Sequence, residues 1–179
     1  MKSWIAGFLM SLSVGVGAGM GAAWAEEVYQ APDAFVTESF GGAPPSARVL
    51  WLTGKVRDRV REMIGREPPL RMRYWARGTR TVWILEEIGK VKPITAGFVV
   101  EGHALARMRV LIYRESHGWE VRYPFFTDQF KGLTLAADDD LSEQVDGISG
   151  ATLSVNALRR MARLALYLDS QSPETQSDD

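Results

Sequence analysis

The feature that most constrains the fold of this chain is a stretch of strand-like sequence, residues 71–115. Within it, residues 94–101 and 104–115 form the clearest predicted β-hairpin, because two apolar and β-branched segments flank a turn of Gly102 and His103. A short turn of this kind joins neighbouring antiparallel strands. The stretch therefore predicts an antiparallel sheet.

Two further strands are predicted before the hairpin. Residues 71–76 alternate between charged and apolar side chains, and residues 81–85 are β-branched and aromatic. Gly78 lies between the two segments as a turn residue. These strands extend the predicted sheet on the N-terminal side of the hairpin.

The second strand of the hairpin predicts how the sheet is buried. Met108, Val110 and Ile112 share one face of this strand, and Arg107 and Arg109 share the other. Such alternation is typical of an antiparallel sheet with one buried face and one face in water. The arginines are accordingly interpreted as solvated surface residues rather than as an anion pocket.

Helical patterns lie on both sides of this sheet in the sequence. One begins after Ser46 and continues to about Ile64, where Gly65 ends it. The other follows residue 152, and its apolar stripe consists of Leu153, Ala157, Met161, Leu164, Ala165 and Leu168. We therefore predict an α+β fold, in which an N-terminal helix and a C-terminal helix flank a twisted antiparallel sheet.

The first 25 residues have the composition of an export signal. Lys2 supplies the positive start, residues 4–20 are apolar and small, and a small-x-small cleavage pattern ends at Ala25. The apolar stretch is interrupted by serines and glycines and is short for a membrane span. We expect cleavage after Ala25 and a periplasmic location, with an uncleaved membrane anchor as the alternative.

Removal of residues 1–25 from the 179-residue chain leaves 154 residues, enough for one domain with its own core. Within them, residues 26–45 are predicted to be irregular, residues 46–168 to form the domain, and residues 169–179 to form a polar tail.

Charge and cysteine content exclude several classes of function. The chain carries 21 basic and 22 acidic side chains, so loss of Lys2 with the signal leaves a net charge of −2. This balance does not indicate nucleic-acid binding. The absence of cysteine excludes disulfides, thiolate metal sites and haem attached through cysteines.

The most informative motif is D-G-I-S-G-A-T-L-S at residues 146–154. Gly147 and Gly150 permit a tight turn, and the C-terminal helical pattern begins directly after it. Unpaired N–H groups at the start of a helix attract phosphate, and Thr152 places a hydroxyl group there. Ser149 is predicted to cap the helix.

This motif resembles the D-x-x-S-G-A-T attachment motif of the FMN-binding domain family, with looser similarity over about residues 94–168. In that family a dedicated flavin transferase links FMN, through its phosphate, to the threonine that closes the motif. The resemblance implies covalent FMN on Thr152. The residues it places at the cofactor are Asp146, Gly147, Ser149, Gly150, Ala151, Thr152 and Ser154.

A second similarity lies at the end of the predicted hairpin. The family often has a Glu-Thr-Pro-Gly type turn that helps to frame the flavin, and this chain has Glu115, Ser116, His117 and Gly118 there. The resemblance implies that Glu115, His117, Gly118 and Trp119 lie beside the flavin. The changed middle of the turn implies different detailed contacts, with His117 as a donor to a flavin carbonyl or as an ordinary surface histidine.

Carboxylates cluster in the loop before the motif, at Asp138, Asp139, Asp140 and Glu143. Carboxylates bind hard cations, but their spacing does not match an EF-hand loop. A solvated acidic loop is the favoured interpretation, and no integral metal site is predicted.

The resemblance implies an extracytoplasmic flavoprotein that transfers electrons between a membrane donor and an acceptor after maturation by a flavin transferase. It implies an electron-transfer component rather than a stand-alone enzyme with its own substrate. Two alternatives remain open: a secreted binding or scaffolding module of the same fold without flavin, and a flavin subunit of a membrane-bound reductase complex.

Overall fold

The computed structural model describes residues 26–173, which form an antiparallel sheet with helices on both faces. The strands are β1 (Glu27–Val28), β2 (Arg48–Trp51), β3 (Arg71–Arg77), β4 (Arg80–Ile88), β5 (Pro93–Glu101) and β6 (Ala104–Tyr113). The helices are α1 (Pro32–Ser39), α2 (Gly54–Ile64), α3 (Pro124–Thr127) and α4 (Thr152–Ser170), with 3-10 turns at Trp119–Arg122 and Asp128–Phe130. The strand order is β1-β6-β5-β4-β3-β2, and each neighbouring pair is antiparallel. The predicted α+β fold is confirmed.

The hairpin of β5 and β6 forms as predicted. Gly102 and His103 both have positive φ, at 56° and 66°. Positive φ at both central residues is the geometry of a type I′ turn, whose twist matches that of the flanking strands. The two strands pair along almost their whole length.

One face assignment in β6 is wrong. Val110 pairs with Ala96 but Ile112 pairs with Thr95, so one extra residue of β6 is accommodated between them. A β-bulge of this kind reverses the alternation of side chains along a strand. Val110 consequently faces the main core, whereas Ile112 packs against the cluster on the opposite face.

The main core lies between the sheet and the helices α2 and α4. Trp83 and Phe98 of the sheet are fully buried, as is Leu158 of α4. Tyr74 stacks on Trp83 with a ring-centroid distance of 4.7 Å. Burial of side chains of this size contributes roughly 1.5–3 kcal/mol each, so α4 is held firmly against the strands and its first turn has a rigid support.

The second face of the sheet is covered by α1, contrary to two predictions. Residues 26–45 are not irregular throughout, and the face that carries Arg107 is not simply solvated. Phe35 of α1 is fully buried there, and the Arg107 guanidinium lies 4.7 Å from the centre of its ring. Gly97 leaves room for this ring, because a Cβ at Gly97 would lie 2.4 Å from Phe35 Cε1.

The predicted helix from Ser46 to about Ile64 is partly wrong. Residues Arg48–Trp51 instead form β2, which pairs with the otherwise open edge of β3, and α2 begins at Gly54. The apolar spacing across Ser46 and Gly54 therefore combines two elements. Pairing with a sheet edge, a non-local interaction, decides the conformation here.

The polar tail begins later than predicted. Helix α4 continues to Ser170, and Asp169, expected to be the first residue of a frayed tail, is fully buried. The rest of that tail beyond residue 173 and the predicted export signal at residues 1–25 lie outside the described residues. No helix within residues 26–173 is long and apolar enough to cross a membrane.

Candidate functional site

The motif loop ends where α4 begins. Gly150 has φ of +83°, Ala151 is the N-cap, and Thr152 is the first residue of the helix. The first backbone bond of the helix runs from the Val155 N–H to the Ala151 carbonyl, at 2.9 Å. The N–H groups of residues 152–154 precede this bond, so they form the donor-rich start of the helix.

Thr152 is exposed to solvent, whereas Ala151 beside it is buried. The helix start therefore presents the threonine side chain and keeps the preceding residue as its support. The prediction that Ser149 caps the helix is wrong, since Ala151 occupies the N-cap position and no side-chain cap hydrogen bond forms there.

A cavity of about 320 Å³ lies beside this helix start. Three separate parts of the chain meet around it: the turn that follows β6 and the start of α4, which form its two walls, and the turn between β4 and β5. The lining residues are Lys90, Glu115, Ser116, His117, Gly150, Ala151, Thr152, Leu153 and Ser154. We refer to it as the Thr152 cavity.

The Tyr113 hydroxyl joins the two walls of the Thr152 cavity. It donates to the His117 carbonyl at 2.6 Å, and it lies 2.9 Å from the Ser154 Oγ. A phenol has one proton and a carbonyl only accepts, so the Ser154 hydroxyl donates to the Tyr113 oxygen. Burial raises the pKa of Tyr113, which keeps this donor protonated.

Close packing at Gly118 also joins the same two walls. Gly118 has φ of +83°, and a Cβ there would lie 2.9 Å from the Tyr113 hydroxyl oxygen and 3.0 Å from the Ala151 Cβ. Only glycine fits this conformation and spacing without displacing the neighbours. Gly118 thus packs against the Tyr113 hydroxyl and Ala151, and it is absent from the cavity lining.

The Glu115 carboxylate binds the loop between β4 and β5. Its Oε1 accepts backbone N–H bonds from Lys90, Val91 and Lys92 at 2.5, 2.6 and 2.9 Å. Burial by itself raises the pKa of Glu115, but these three donors, together with the positive charge of Lys90, outweigh that effect and hold the pKa below its usual value. The carboxylate is consequently ionised at neutral pH.

The other residues predicted beside the flavin differ in position. His117 is exposed and lines the cavity, with its Nδ1 3.1 Å from the Ser116 Oγ. Trp119 lies outside the cavity lining and packs edge-on against Tyr123, with ring centroids 5.8 Å apart. The structure therefore brings His117 to the Thr152 cavity and places Trp119 in a neighbouring aromatic group.

The first half of the motif lies outside the cavity lining. Asp146, Gly147 and Ser149 are exposed residues of the loop. The Asp146 backbone N–H donates to Gln129 Oε1 at 2.7 Å, which attaches the loop to the segment after α3. Gly150, Ala151, Thr152 and Ser154 do line the cavity.

Sequence reasoning missed Lys90 and Tyr113, and it did not assign Ser116 and Leu153 to the site although both line the cavity. Lys90 follows Gly89 in the turn between β4 and β5, and Tyr113 is the last residue of β6. Tyr113 had a detectable signal, since a tyrosine that ends a core strand often has a buried hydroxyl to satisfy. No local sequence pattern marked Lys90 as a site residue, because its turn is held at the cavity by Glu115, which lies 25 residues further along the chain.

The carboxylates and a carbonyl of the acidic loop bind arginine side chains of α2 and α4. Asp139 pairs with Arg59 of α2, and Arg163 of α4 bonds to the Asp139 carbonyl at 2.5 Å and lies 3.7 Å from the Asp140 carboxylate. Within the described part of the chain, no group of three or more acidic or histidine side chains is arranged to hold a metal ion. The loop serves to attach α2 and α4 to each other.

Comparison with known proteins bears on the same region. Residues 89–167 match the family described as FMN-binding domain. This segment begins at Gly89, beside Lys90, and ends within α4, so it contains every residue that lines the Thr152 cavity. No curated protein matches the chain.

Proposed function

Because residues 89–167 match the FMN-binding domain family, we propose that this protein carries FMN as a phosphoester on Thr152 and serves as an electron-transfer flavoprotein. The observation that carries the proposal is the placement of Thr152. Its exposed side chain stands at the start of α4 and on the wall of the Thr152 cavity.

The residues present fit such a group. The cavity volume of about 320 Å³ falls at the lower end of the range for small-molecule sites, which runs from roughly 300 to 1,000 Å³. Gly150 and Ala151 keep the wall next to the threonine small. The N–H groups at the start of a 19-residue helix favour the negative charge of a phosphate.

Each part of the site has a distinct task in this proposal. Thr152 is the tether, and it is modified once by another enzyme, so no base within this chain is needed to activate it. His117 is a donor toward the ring system, and Tyr113 with Ser154 fixes the distance between the two walls. FMN itself supplies the redox chemistry, since it accepts two electrons and releases them singly.

The proposal also includes export of the protein and its partner proteins. Residues 1–25 have the pattern of an export signal, and a covalent tether prevents loss of the cofactor outside the cytoplasm. The partners would be a flavin transferase for maturation, a membrane electron donor and an acceptor.

The test is flavin fluorescence after denaturation. The chain is produced in a host with and without a flavin transferase, and the denatured protein is examined in a gel and by peptide mass spectrometry. We expect fluorescence with the transferase only, and an FMN-modified peptide that contains Thr152. A matched control is Thr79→Ala, which removes an exposed threonine in the turn between β3 and β4.

The variants separate the alternatives. Thr152→Ala is expected to abolish the modification, and fluorescence that survives it would place the attachment elsewhere. A wild-type chain that stays colourless in the presence of the transferase would support a secreted binding module instead. A mature chain that requires detergent would support a subunit of a membrane-bound reductase.

A further inference from the structure

The turn between β4 and β5 reaches the Thr152 cavity from a part of the chain distant in sequence. The Gly89 N–H donates to the Lys92 carbonyl at 3.0 Å and closes the turn, and Lys90 lines the cavity together with Thr152. Lys90 is the lysine among the lining residues, which otherwise include the carboxylate of Glu115 and the imidazole of His117.

Glu115 determines where this turn lies. One carboxylate oxygen accepts three successive backbone N–H groups, from Lys90, Val91 and Lys92. Charge-assisted bonds of this kind are roughly twice as strong as neutral ones. The three bonds fix the backbone of residue 90 relative to the end of β6.

The absence of a side chain at Gly89 is a second feature that allows Glu115 to contact the turn. A Cβ at Gly89 would lie 3.0 Å from Glu115 Oε1 and 2.9 Å from Ile94 Cδ1. Contacts this short force a neighbour to shift. The absence of a side chain at Gly89 therefore lets the carboxylate approach the three N–H groups.

Resting on the proposed function, we propose that Lys90 is the cation that binds the FMN phosphate, and that Glu115 is a positioning residue for Lys90 rather than a direct flavin ligand. A phosphoester on Thr152 retains one negative charge beside the cavity that Lys90 lines. The helix start offers partial positive charge, and an ammonium group offers a full one. Glu115 Oε1 accepts all three backbone N–H bonds of the turn, so this carboxylate oxygen is committed to holding Lys90 in place.

The experiment uses the full chain without the modification and two soluble flavins. FMN carries a phosphate and riboflavin lacks it, so the ratio of their dissociation constants isolates the phosphate contact. Quenching of flavin fluorescence gives both constants. We expect the wild-type protein to prefer FMN about three- to tenfold, the range of one partly exposed charge contact, with a preference that declines as salt is added.

Variants of Lys90 and Lys92 show which lysine causes the preference for FMN over riboflavin. Lys90→Gln is expected to lose most of the preference for FMN, with the start of α4 supplying the remainder, and Lys90→Arg is expected to keep most of it. Lys92→Gln is the matched control, because it removes the same charge from the same turn at a position outside the cavity lining. Equal affinity in the wild type, no measurable affinity for either flavin, or an unchanged preference in Lys90→Gln would overturn the assignment.

Amide hydrogen exchange tests the positioning role of Glu115. In the unmodified chain the N–H groups of residues 90–92 are expected to exchange slowly. Glu115→Ala is expected to accelerate their exchange and to reduce the preference for FMN, and Glu115→Gln, which keeps an acceptor oxygen, to do both to a smaller extent. Unchanged exchange or an unchanged preference in Glu115→Ala would refute the positioning role. An equal loss of affinity for FMN and riboflavin with unchanged exchange would make Glu115 a direct flavin ligand instead.

Failure of this inference is distinguishable from failure of the proposed function. A chain that is modified on Thr152 by the transferase, but whose Lys90→Gln variant prefers FMN as the wild type does, retains the function and loses the inference. A chain that prefers FMN through Lys90 but is never modified on Thr152 retains the cation site and loses the covalent tether.

Discussion

At the scale of single residues, the Thr152 cavity depends on a few contacts between positions far apart in sequence. Tyr113 and Ser154 are 41 residues apart, and their hydroxyl groups form a buried hydrogen bond. The same Tyr113 hydroxyl donates to the His117 carbonyl. One phenol thus sets the distance between the turn after β6 and the first turn of α4.

We predict that Tyr113→Phe destabilises the protein by roughly 1–3 kcal/mol, because it leaves the His117 carbonyl and the Ser154 hydroxyl without this partner. The measurement is urea unfolding of the unmodified chain. Ser154→Ala and the double variant complete a cycle that should give a coupling of about 0.5 kcal/mol or more. Strictly additive effects would show that the two hydroxyls do not interact.

At the scale of elements, the two faces of the sheet are covered to different extents by helices. Helices α2 and α4 cover one face through the main core, and the short helix α1 covers the other through Phe35, Val36 and Phe40. Gly97 in the centre of β5 lies directly against α1, since the Phe35 ring occupies the space that a side chain at Gly97 would need.

We predict that Gly97→Ala displaces α1 and lowers the free energy of unfolding by about 1–3 kcal/mol, the usual cost of overpacking. The added methyl group would lie within 2.4 Å of a Phe35 ring carbon. Faster amide exchange in residues 32–39 would locate the effect. The double variant Gly97→Ala with Phe35→Leu should recover part of the loss, and a double variant that is no better than the single one would refute the steric explanation.

At the scale of the whole molecule, Asp169 connects the end of α4 to two parts of the sheet. Its Oδ1 accepts from the Thr81 hydroxyl at 2.5 Å, and Thr81 in turn accepts from the Trp83 indole at 2.9 Å. The His103 Nδ1 lies 3.5 Å from the Asp169 Oδ2. Burial raises the pKa of Asp169, and neither Thr81 nor His103 fully offsets this effect.

We predict that this carboxyl makes stability decline as the pH rises. In the unfolded chain it titrates near its ordinary pKa of about 3.9, whereas the folded protein retains the proton to higher pH. The stability that the protonated form contributes is therefore present below about pH 4 and is lost as the pH rises through the raised pKa. Asp169→Asn, whose amide oxygen still accepts from Thr81, should remove this decline.

The measurement is urea unfolding of the wild type and Asp169→Asn between about pH 4 and pH 8, a range that spans the ordinary carboxyl pKa and values above it. Glu115 has a lowered pKa and acts in the opposite sense, so the difference between the two proteins isolates Asp169. His103→Gln should steepen the decline, because the imidazole lowers the pKa of Asp169. Parallel profiles for the wild type and Asp169→Asn would contradict the prediction.

Local sequence pattern was sufficient for much of the fold and for one wall of the candidate site. The two-residue turn at Gly102 and His103, the strands around it and the buried stripe of α4 from Ala157 to Leu168 are all encoded within a few neighbouring residues. Leu153, which was predicted to belong to that stripe, is exposed at the first turn of the helix instead. The same holds for the position of Thr152 directly at the start of a helix. These features follow from side-chain periodicity and turn chemistry, which need no information from distant parts of the chain.

Only the tertiary structure decided what each element faces and what completes the site. A bulge in β6 places Ile112 on the opposite face of the sheet from Val110. Residues Arg48–Trp51 form a strand because they pair with the otherwise open edge of β3. The Tyr113 bond to Ser154 and the Glu115 bonds to the turn at Lys90 join residues that no local pattern connects. The physical reason is that periodicity specifies conformation within an element, whereas register, packing and buried hydrogen bonds between elements form only when the whole chain is folded.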